Sequence, residues 1–516
     1  MKFLNTIYGL AAVLLATGLK VVAQERQPTR NIIILEMQDS LGTWRNSANA
    51  AGLAWGTPVD FSTVSGHYQI STGDFKRPQA PSRQVQQGIF GAGNTKLNGY
   101  YIQGSFSYVR DKRENASFNA SRIDPSGAMP YMVLDSNASD WSNQHYSMDF
   151  QLATPQFGGR WSLGLSTRYQ AASGAKQRDI RAENGYYSLQ ISPSVVYAFS
   201  PKHLLGMHLT YDNTKEESGN RNVNVYVDQG YYFNYGLGHA IPYVGSGVQM
   251  DYQSDRWGGG LQYAYRGAWD LFVSSNIDIG AMNAGIGFVE SRTEGTLLSR
   301  TSTSKLQAKR MDGNRLHLIT LGYDISDNKG IEYWNEFVAG LESEGYINRY
   351  KAVRSTYKRQ AAQARYTFLT QKEELYDWKF ELGWRYDKQD DRYLMPISSF
   401  TTENIGYGLT VQKALTWAHS TLVLGGKLWR QQNLSGAYAY GGMRAEEWPV
   451  TQLMMGELQY RTADYIQLEL PITYSIQIGK RHENSLYTKV NGTWLRPSGD
   501  YFADRKGLQL SIGATF

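Results

Sequence analysis

The sequence predicts an all-β protein, a transmembrane antiparallel β-barrel of about 18 strands. Three observations carry that expectation: a strictly alternating final segment, the return of the same alternation along most of the chain, and connections of two unequal lengths. In the last ten residues, Leu508, Leu510, Ile512, Ala514 and Phe516 fall on one face of an extended strand. Gln509, Ser511, Gly513 and Thr515 fall on the other.

The dyad recurs in the interior. Trp161, Leu163, Leu165, Thr167 and Tyr169 oppose Ser162, Gly164, Ser166, Arg168 and Gln170. Tyr187, Leu189, Ile191, Val195, Tyr197 and Phe199 alternate with Ser188, Gln190, Ser192 and Ser194. Trp378, Phe380, Leu382, Trp384 and Tyr386 oppose Lys379, Glu381, Gly383, Arg385 and Asp387. Ile466, Leu468, Leu470, Ile472, Tyr474 and Ile476 oppose Gln467, Glu469, Thr473, Ser475 and Gln477. In a helix these charges would spiral onto every face, so the segments are strands.

Short turns are expected near Gly158-Gly159, Ser200-Pro201, Ala268, Asn328-Lys329-Gly330, Tyr376-Asp377, Trp417 and Lys480-Arg481. Long polar loops are expected at roughly 112–143, 217–256, 292–313 and 434–463. Short turns belong on the periplasmic side and long loops outside. Counting back from Phe516 gives about 18 strands, or 14 to 16 if the first pair near 60–72 and 84–94 does not form.

Residues 1–23 read as a signal peptide, with Lys2, an apolar core from Tyr8 to Leu19, and Val21-Val22-Ala23 before the cleavage point. Residues 24–58 do not alternate and form an N-terminal periplasmic or plug segment; 59–516 are the barrel. Within 24–58, Asn31-Ile-Ile-Ile-Leu35 is a short apolar run, and the Ala-rich stretch from Leu41 to Trp55 suits a short helix tucked into the lumen. Beyond the leader, no apolar run is long enough for a membrane helix.

Composition agrees with a wall that is apolar at every second position: 41% hydrophobic, yet 13% aromatic with 37 Tyr and 13 Trp. Zero cysteines remove disulfide frameworks and thiolate chemistry. The net charge of +6 falls to about +4 without Lys2 and Lys20, too scattered to imply nucleic acid.

Catalysis is not expected, and neither is a cofactor or metal. The eight histidines show no grouping with a nucleophile, and His203 and His208 point to opposite faces of one strand. Gly91-Ala-Gly-Asn-Thr-Lys96 lacks P-loop spacing and reads as a hairpin turn. Function is expected of inward charges, with Arg168, Glu332, Glu336, Glu342, Arg365, Lys379, Glu381, Arg385, Glu469 and Lys489 as candidate lumen lining. An acidic strand (Glu332, Glu336, Glu342) beside basic ones would set a transverse field across the lumen. In the loops, Tyr226, Tyr231, Tyr232, Phe233, Tyr235 and Trp448 are candidates for binding a flat ligand or sugar ring.

The Phe516-terminated strand resembles the recognition segment of bacterial outer-membrane barrels. Gly73-Asp-Phe-Lys-Arg-Pro-Gln79, Lys96-Leu-Asn-Gly-Tyr-Tyr-Ile-Gln-Gly-Ser-Phe-Ser-Tyr108 and Thr462-Ala-Asp-Tyr-Ile-Gln-Leu-Glu-Leu470 resemble a family of uncharacterised outer-membrane barrels from Bacteroidota. Asn49-Ala-Ala-Gly-Leu53 is similar to a segment near the start of fatty-acid-transporter-type barrels, without its proline. The resemblance implies the outer membrane of a Gram-negative bacterium, and as partners outer-membrane lipid and lipopolysaccharide, the barrel assembly machinery and nutrient-uptake proteins, with no nucleic acid. It carries no catalytic residues.

Two functions fit. One is a pore or uptake channel for small polar nutrients. The other is a non-conducting surface-binding or accessory barrel whose aromatic loops hold a glycan or a protein partner. A TonB-dependent receptor is not expected, because roughly 35 residues before the first strand cannot make its globular plug.

Overall fold

The computed structural model describes residues 31–516, apart from 45–46, 57–59, 127–128, 225, 228, 246, 288–291, 340–344, 373–374 and 480–483. The signal peptide read at 1–23 therefore lies outside the described residues, as does Glu342.

A ten-residue helix, α1 (Ile32–Leu41), and a 3-10 turn at Ala50–Trp55 precede the strands. The first strands are β1 (Phe61–Gly73), β2 (Arg83–Leu97), β3 (Tyr100–Ala116), β4 (Met132–Leu134), β5 (Ser139–Ala153), β6 (Trp161–Lys176), β7 (Arg181–Ser200) and β8 (His203–Arg221). They continue with β9 (Gly230–Gly236), β10 (His239–Val244), β11 (Gln249–Tyr265), β12 (Asp270–Ile286), β13 (Arg292–Asp312), β14 (Arg315–Val338) and β15 (Gly345–Lys372). The last are β16 (Leu375–Leu394), β17 (Ile397–Thr416), β18 (Ser420–Ala439), β19 (Tyr465–Ile478), β20 (Asn484–Pro497) and β21 (Arg505–Thr515). A π-helical turn at Pro449–Met454 and the helix α2 (Met455–Thr462) lie between β18 and β19.

Eighteen of these strands form one antiparallel sheet. It closes on itself because β1 pairs with β21 from Thr63↔Thr515 to Gly73↔Arg505. Closure leaves no free strand edge, and the ladders lapse at Pro193 between β7 and β8 and at Pro471 between β18 and β19, where proline has no N–H to give. The alternation falls as a membrane wall requires. Along β8, the outward residues His203, Leu205, Met207, Leu209 and Tyr211 alternate with buried Leu204, His208 and Thr210. Aromatics flank the apolar band at both edges. Trp161 meets Tyr197 with ring centroids 4.3 Å apart near the short turns, and Tyr211 meets Trp257 at 4.5 Å near the other edge. Among the described residues no helix is long and apolar enough to cross a membrane.

The wall is uneven in height. Strands β13 to β18 run 20 to 28 residues, whereas β19, β20, β21 and β1 run 11 to 14. This tall side corrects two expectations. Residues 292–313 are not a loop but β13, paired with β14 over its length from Gly295↔Glu332 to Asp312↔Arg315. Asn328-Lys329-Gly330 is not a turn but the middle of β14. Both faces of β13 are polar around Arg300–Ser304, which erases the dyad there. Gly91–Lys96 likewise lies inside β2, and the turn falls at 98–99.

The lumen is largely filled. On the long-loop side β4, β9 and β10 form a separate three-stranded sheet inside the barrel. Its residues join the strap 116–134 and the wall in a core that includes Tyr131, Val133, Phe233, Tyr252, Tyr357 and Phe400. At the short-turn end the chain before β1 crosses the mouth. The Ala-rich stretch forms only the short, buried 3-10 turn, and the longer helix is α1, which Asn31 caps by accepting from the Ile33 N–H at 2.9 Å. Ile32, Ile33, Ile34 and Met37 pack on inward-facing Leu316, Leu318, Leu369, Tyr376, Val423 and Tyr487.

Candidate functional site

Two cavities lie along the inner face of β13–β18. The lower one, about 500 Å³, is lined by α1 (Ile33, Glu36, Met37) and by Lys305, Arg365, Lys379 and Glu381 of the wall. The upper one, about 550 Å³, is lined by Asp324, Arg359, Arg385, Asp387, Trp429 and Arg461, among others. One layer of inward positions, Gly322, Gln363 and Gly383, lies between them. Two of those three have no side chain to narrow the gap.

Charges on the wall are unequal. Five inward cations (Lys305, Arg359, Arg365, Lys379, Arg385) face three carboxylates (Asp324, Glu381, Asp387). Arg385 holds Asp387 with two hydrogen bonds of 2.6 and 2.8 Å. Glu381 is shared by Arg365 at 3.4 Å and Lys379 at 3.9 Å. The side chains of Arg359 and Lys305 make no hydrogen bond or ion pair with any described residue. Much of that surplus comes from β15, which carries arginines and lysines along its length and no Asp or Glu.

The other candidates fall elsewhere. Arg168 faces the lumen on β6 and donates to Asp149 at 2.5 Å, on the far side of the barrel from the cavities. Glu469 accepts from Lys427 at 2.9 Å. Lys489 pairs with Glu36 of α1, which ties the helix to β20. Glu332 is largely buried under the inner core, 3.8 Å from Arg354. Glu336 stands near the tip of the β14–β15 hairpin, paired with Arg349 at 2.7 Å. Of the expected acidic face, neither described member, Glu332 nor Glu336, lines the two cavities. Two register shifts in β14–β15, at Gly330/Ile331 and Trp334/Asn335, interrupt the simple alternation that suggested it.

The aromatic loop is also not an open platform. Tyr231 and Phe233 are buried, and Tyr235 packs edge-on against Phe233 at 5.0 Å. Tyr232 and Phe118 close on Trp448 at 4.9 and 5.3 Å. Tyr226 alone of the six candidates is open, at 94% exposure. The other five pack into the filling of the lumen.

Two elements hold the filling in place. At the short-turn end the Asn49 amide nitrogen donates to the carbonyls of Val195 and Met207 and to Gln262 Oε1, at 2.9 to 3.2 Å. The Ala51 N–H donates to Ser194, and Trp55 donates to Ser162. Gly164 leaves the room this requires: a Cβ there would sit 2.1 Å from the Ala51 nitrogen. On the loop side, Glu457 of α2 accepts from Arg77 at 3.0 Å and from Arg461 at 2.9 Å. Burial raises the Glu457 carboxyl, but the two guanidinium groups together outweigh it and hold the group below the usual range. A lowered folded value means this stabilisation is complete above the unfolded value of about 4.3 and fades as pH falls through the folded one. Acidification below about pH 4 is therefore expected to release α2. Protease cleavage within 440–464 should rise in acid, and Glu457→Gln should reproduce it at neutral pH; equal cleavage at both pH values would dismiss the contact.

Among the described residues the histidines offer no cluster. His203 points outward to the Tyr263 hydroxyl at 2.8 Å, and His208 points inward to Gln262 at 2.9 Å. Among the described residues no three His, Asp or Glu side chains are grouped to hold a metal ion.

A closed antiparallel wall with an apolar, aromatic-edged exterior and a polar interior defines an outer-membrane-type β-barrel. The chain belongs to the family of unknown function DUF6850, which matches residues 50–516 and so takes in the Ala50–Trp55 turn as well as the barrel. No curated protein matches it. Among solved structures it is similar to BauA, the ferric preacinetobactin receptor from Acinetobacter baumannii (8% identity, TM-score 0.41, covering 89% of this chain and 80% of that one). It is also similar to the outer membrane transporter YddB from Escherichia coli (6%, 0.41, 88% and 81%) and to OpdK of Pseudomonas aeruginosa, solved with vanillate (10%, 0.35, 89% and 99%). These are distant likenesses, and the barrel assignment rests on the strand pairing itself.

Proposed function

We propose that the protein is a transport barrel in the outer membrane of a Gram-negative bacterium, consistent with the Bacteroidota resemblance in its sequence. Small polar solutes pass along the β13–β18 side of the lumen, and residues 24–58 act as a plug at the periplasmic end. The observation that supports this reading best is the pair of stacked polar cavities with an excess of wall cations. A barrel built only as an anchor has no need of charges left without partners beside water. On this reading the exterior meets lipid and lipopolysaccharide, the barrel assembly machinery inserts it, and an uptake partner displaces α1.

Ion selectivity tests it. In the form lacking residues 31–56, the reversal potential across a planar bilayer in a salt gradient is expected to show anion preference. Arg365→Glu combined with Lys305→Glu should move it toward cations. Cation preference at the outset, or no change in the double variant, would remove the reading.

A second reading, a closed barrel that displays its loops to a glycan or protein, is favoured by the inner core that fills the long-loop side. It predicts no conductance in any form.

A further inference from the structure

The upper cavity has a composition that its position in a transport path does not explain. Trp429 points inward from β18, and its indole lies flat along the wall. It can do so because the neighbouring inward positions are Gly406, Gly408 and Gly383, where a Cβ would stand 2.3, 2.7 and 3.3 Å from the ring or its nearest atoms. Gly406 pairs in register with Arg385, so the indole edge and the Arg385–Asp387 pair are neighbours. Arg359, on β15, faces the same space; its guanidinium makes no hydrogen bond or ion pair with a described residue, and the carboxylate that acts on it, Asp391, does so from beyond contact distance. The rest of the lining is rich in hydroxyl and amide groups, including Thr301, Ser326, Gln389, Thr402, Asn404 and Gln431.

Each part answers to a different part of one ligand. A flat, half-exposed indole suits the apolar face of a sugar ring. A guanidinium with no carboxylate in contact with it is a free fork for one. Hydroxyls and amides of both donor and acceptor type, with Asp387 beside them, suit a ring bearing several hydroxyl groups. An aromatic acid would use the indole and the arginine but leave that polar lining idle. The volume of about 550 Å³ lies within the usual range for small-ligand pockets and suits one or two sugar units.

We propose that the upper cavity is a binding site for a sugar acid, its ring on Trp429 and its carboxylate on Arg359. The site deepens the transport reading, on which it rests, by naming the solute class. It places the anion at the head of the cation-rich wall, with Arg365, Lys379 and Lys305 below it.

Binding to the full-length protein in detergent tests this without requiring transport. Galacturonate, galactose and benzoate are titrated while tryptophan fluorescence and heat of binding are followed. Galacturonate is expected to saturate, and to bind roughly tenfold more tightly than galactose. Arg359→Gln should weaken galacturonate by about tenfold and leave galactose unmoved. Trp429→Phe should remove the fluorescence response while calorimetry still reports binding. Retention of the heat-dependent gel shift shows that each variant is folded, and Arg359→Lys serves if Arg359→Gln is not. Equal binding of galacturonate and galactose, or full affinity in a folded Arg359 variant, would overturn the assignment. Benzoate bound more tightly than galacturonate would overturn it in favour of an aromatic acid. A protein that binds galacturonate but conducts in no form leaves this site standing and removes transport. One that conducts but binds none of the three removes only this site.

Discussion

Deleting residues 31–56 is expected to turn a nearly silent barrel into a conducting one, with current rising on the order of tenfold in single-channel recordings. Five apolar side chains of α1 are buried (Ile32, Ile33, Ile34, Leu35, Met37), each contributing about 1.5–3 kcal/mol as an upper bound. Asn49, Ala51 and Trp55 add hydrogen bonds to β6, β7, β8 and β11, and Lys489 adds an ion pair. Together these make spontaneous departure of the segment rare, so the intact protein should stay closed unless something pulls. The open form should still conduct less than an empty barrel of 18 strands, because the inner sheet and its core remain in the lumen. Asn49→Ala should give brief openings between the two extremes. Equal currents from intact and deleted protein would show that the segment does not close the path.

Lys176→Met is expected to be the most destabilising single substitution. The Lys176 ammonium and the Asp135 carboxylate are both fully buried and paired, and the ammonium also donates to the Ile180 carbonyl at 2.8 Å. The pair ties the end of β6 to the chain just beyond β4, so it fastens the inner sheet to the wall. Removing the lysine leaves a buried carboxylate without its cation, a loss of about 3–5 kcal/mol. The temperature of the gel shift should fall, and residues 117–138 should become open to protease. Lys176→Met with Asp135→Leu should recover most of the loss, since neither charge is then stranded. If the double variant is no better than the single, the pair is not what fastens the sheet.

The wall was legible in the sequence where each strand is apolar on one face only, as at 161–170 and 466–476. About 18 strands were expected and 18 are present. Where the tall strands are polar on both faces, as at Arg300–Ser304, alternation vanishes and β13 reads as a loop. In α1 the run Ile32-Ile33-Ile34 masks a helix, because β-branched residues favour strands unless a partner surface pays for their side-chain order. The site was less legible. Arg365, Lys379, Glu381 and Arg385 were visible as inward charges, but Arg359, Lys305 and Trp429 were not singled out. What distinguishes them is the absence of a partner, or three glycines on neighbouring strands, and both depend on register across the sheet. The aromatic residues 231–235 look like a display loop by composition. Only the fold reveals that they face inward to an apolar core.

The unequal strand lengths give the mouth a bevel. At a rise of about 3.3 Å per residue and a tilt near 40°, the 28 residues of β15 reach roughly 70 Å along the membrane normal. The 11 residues of β21 reach less than half of that and scarcely clear a hydrocarbon layer of about 25–30 Å. One side of the rim thus stands as a parapet above the lipid headgroups while the seam where the cylinder closes sits almost level with them. Antibodies raised against whole cells should map to the parapet, and long polymers lying along the cell surface meet the opening from the seam side.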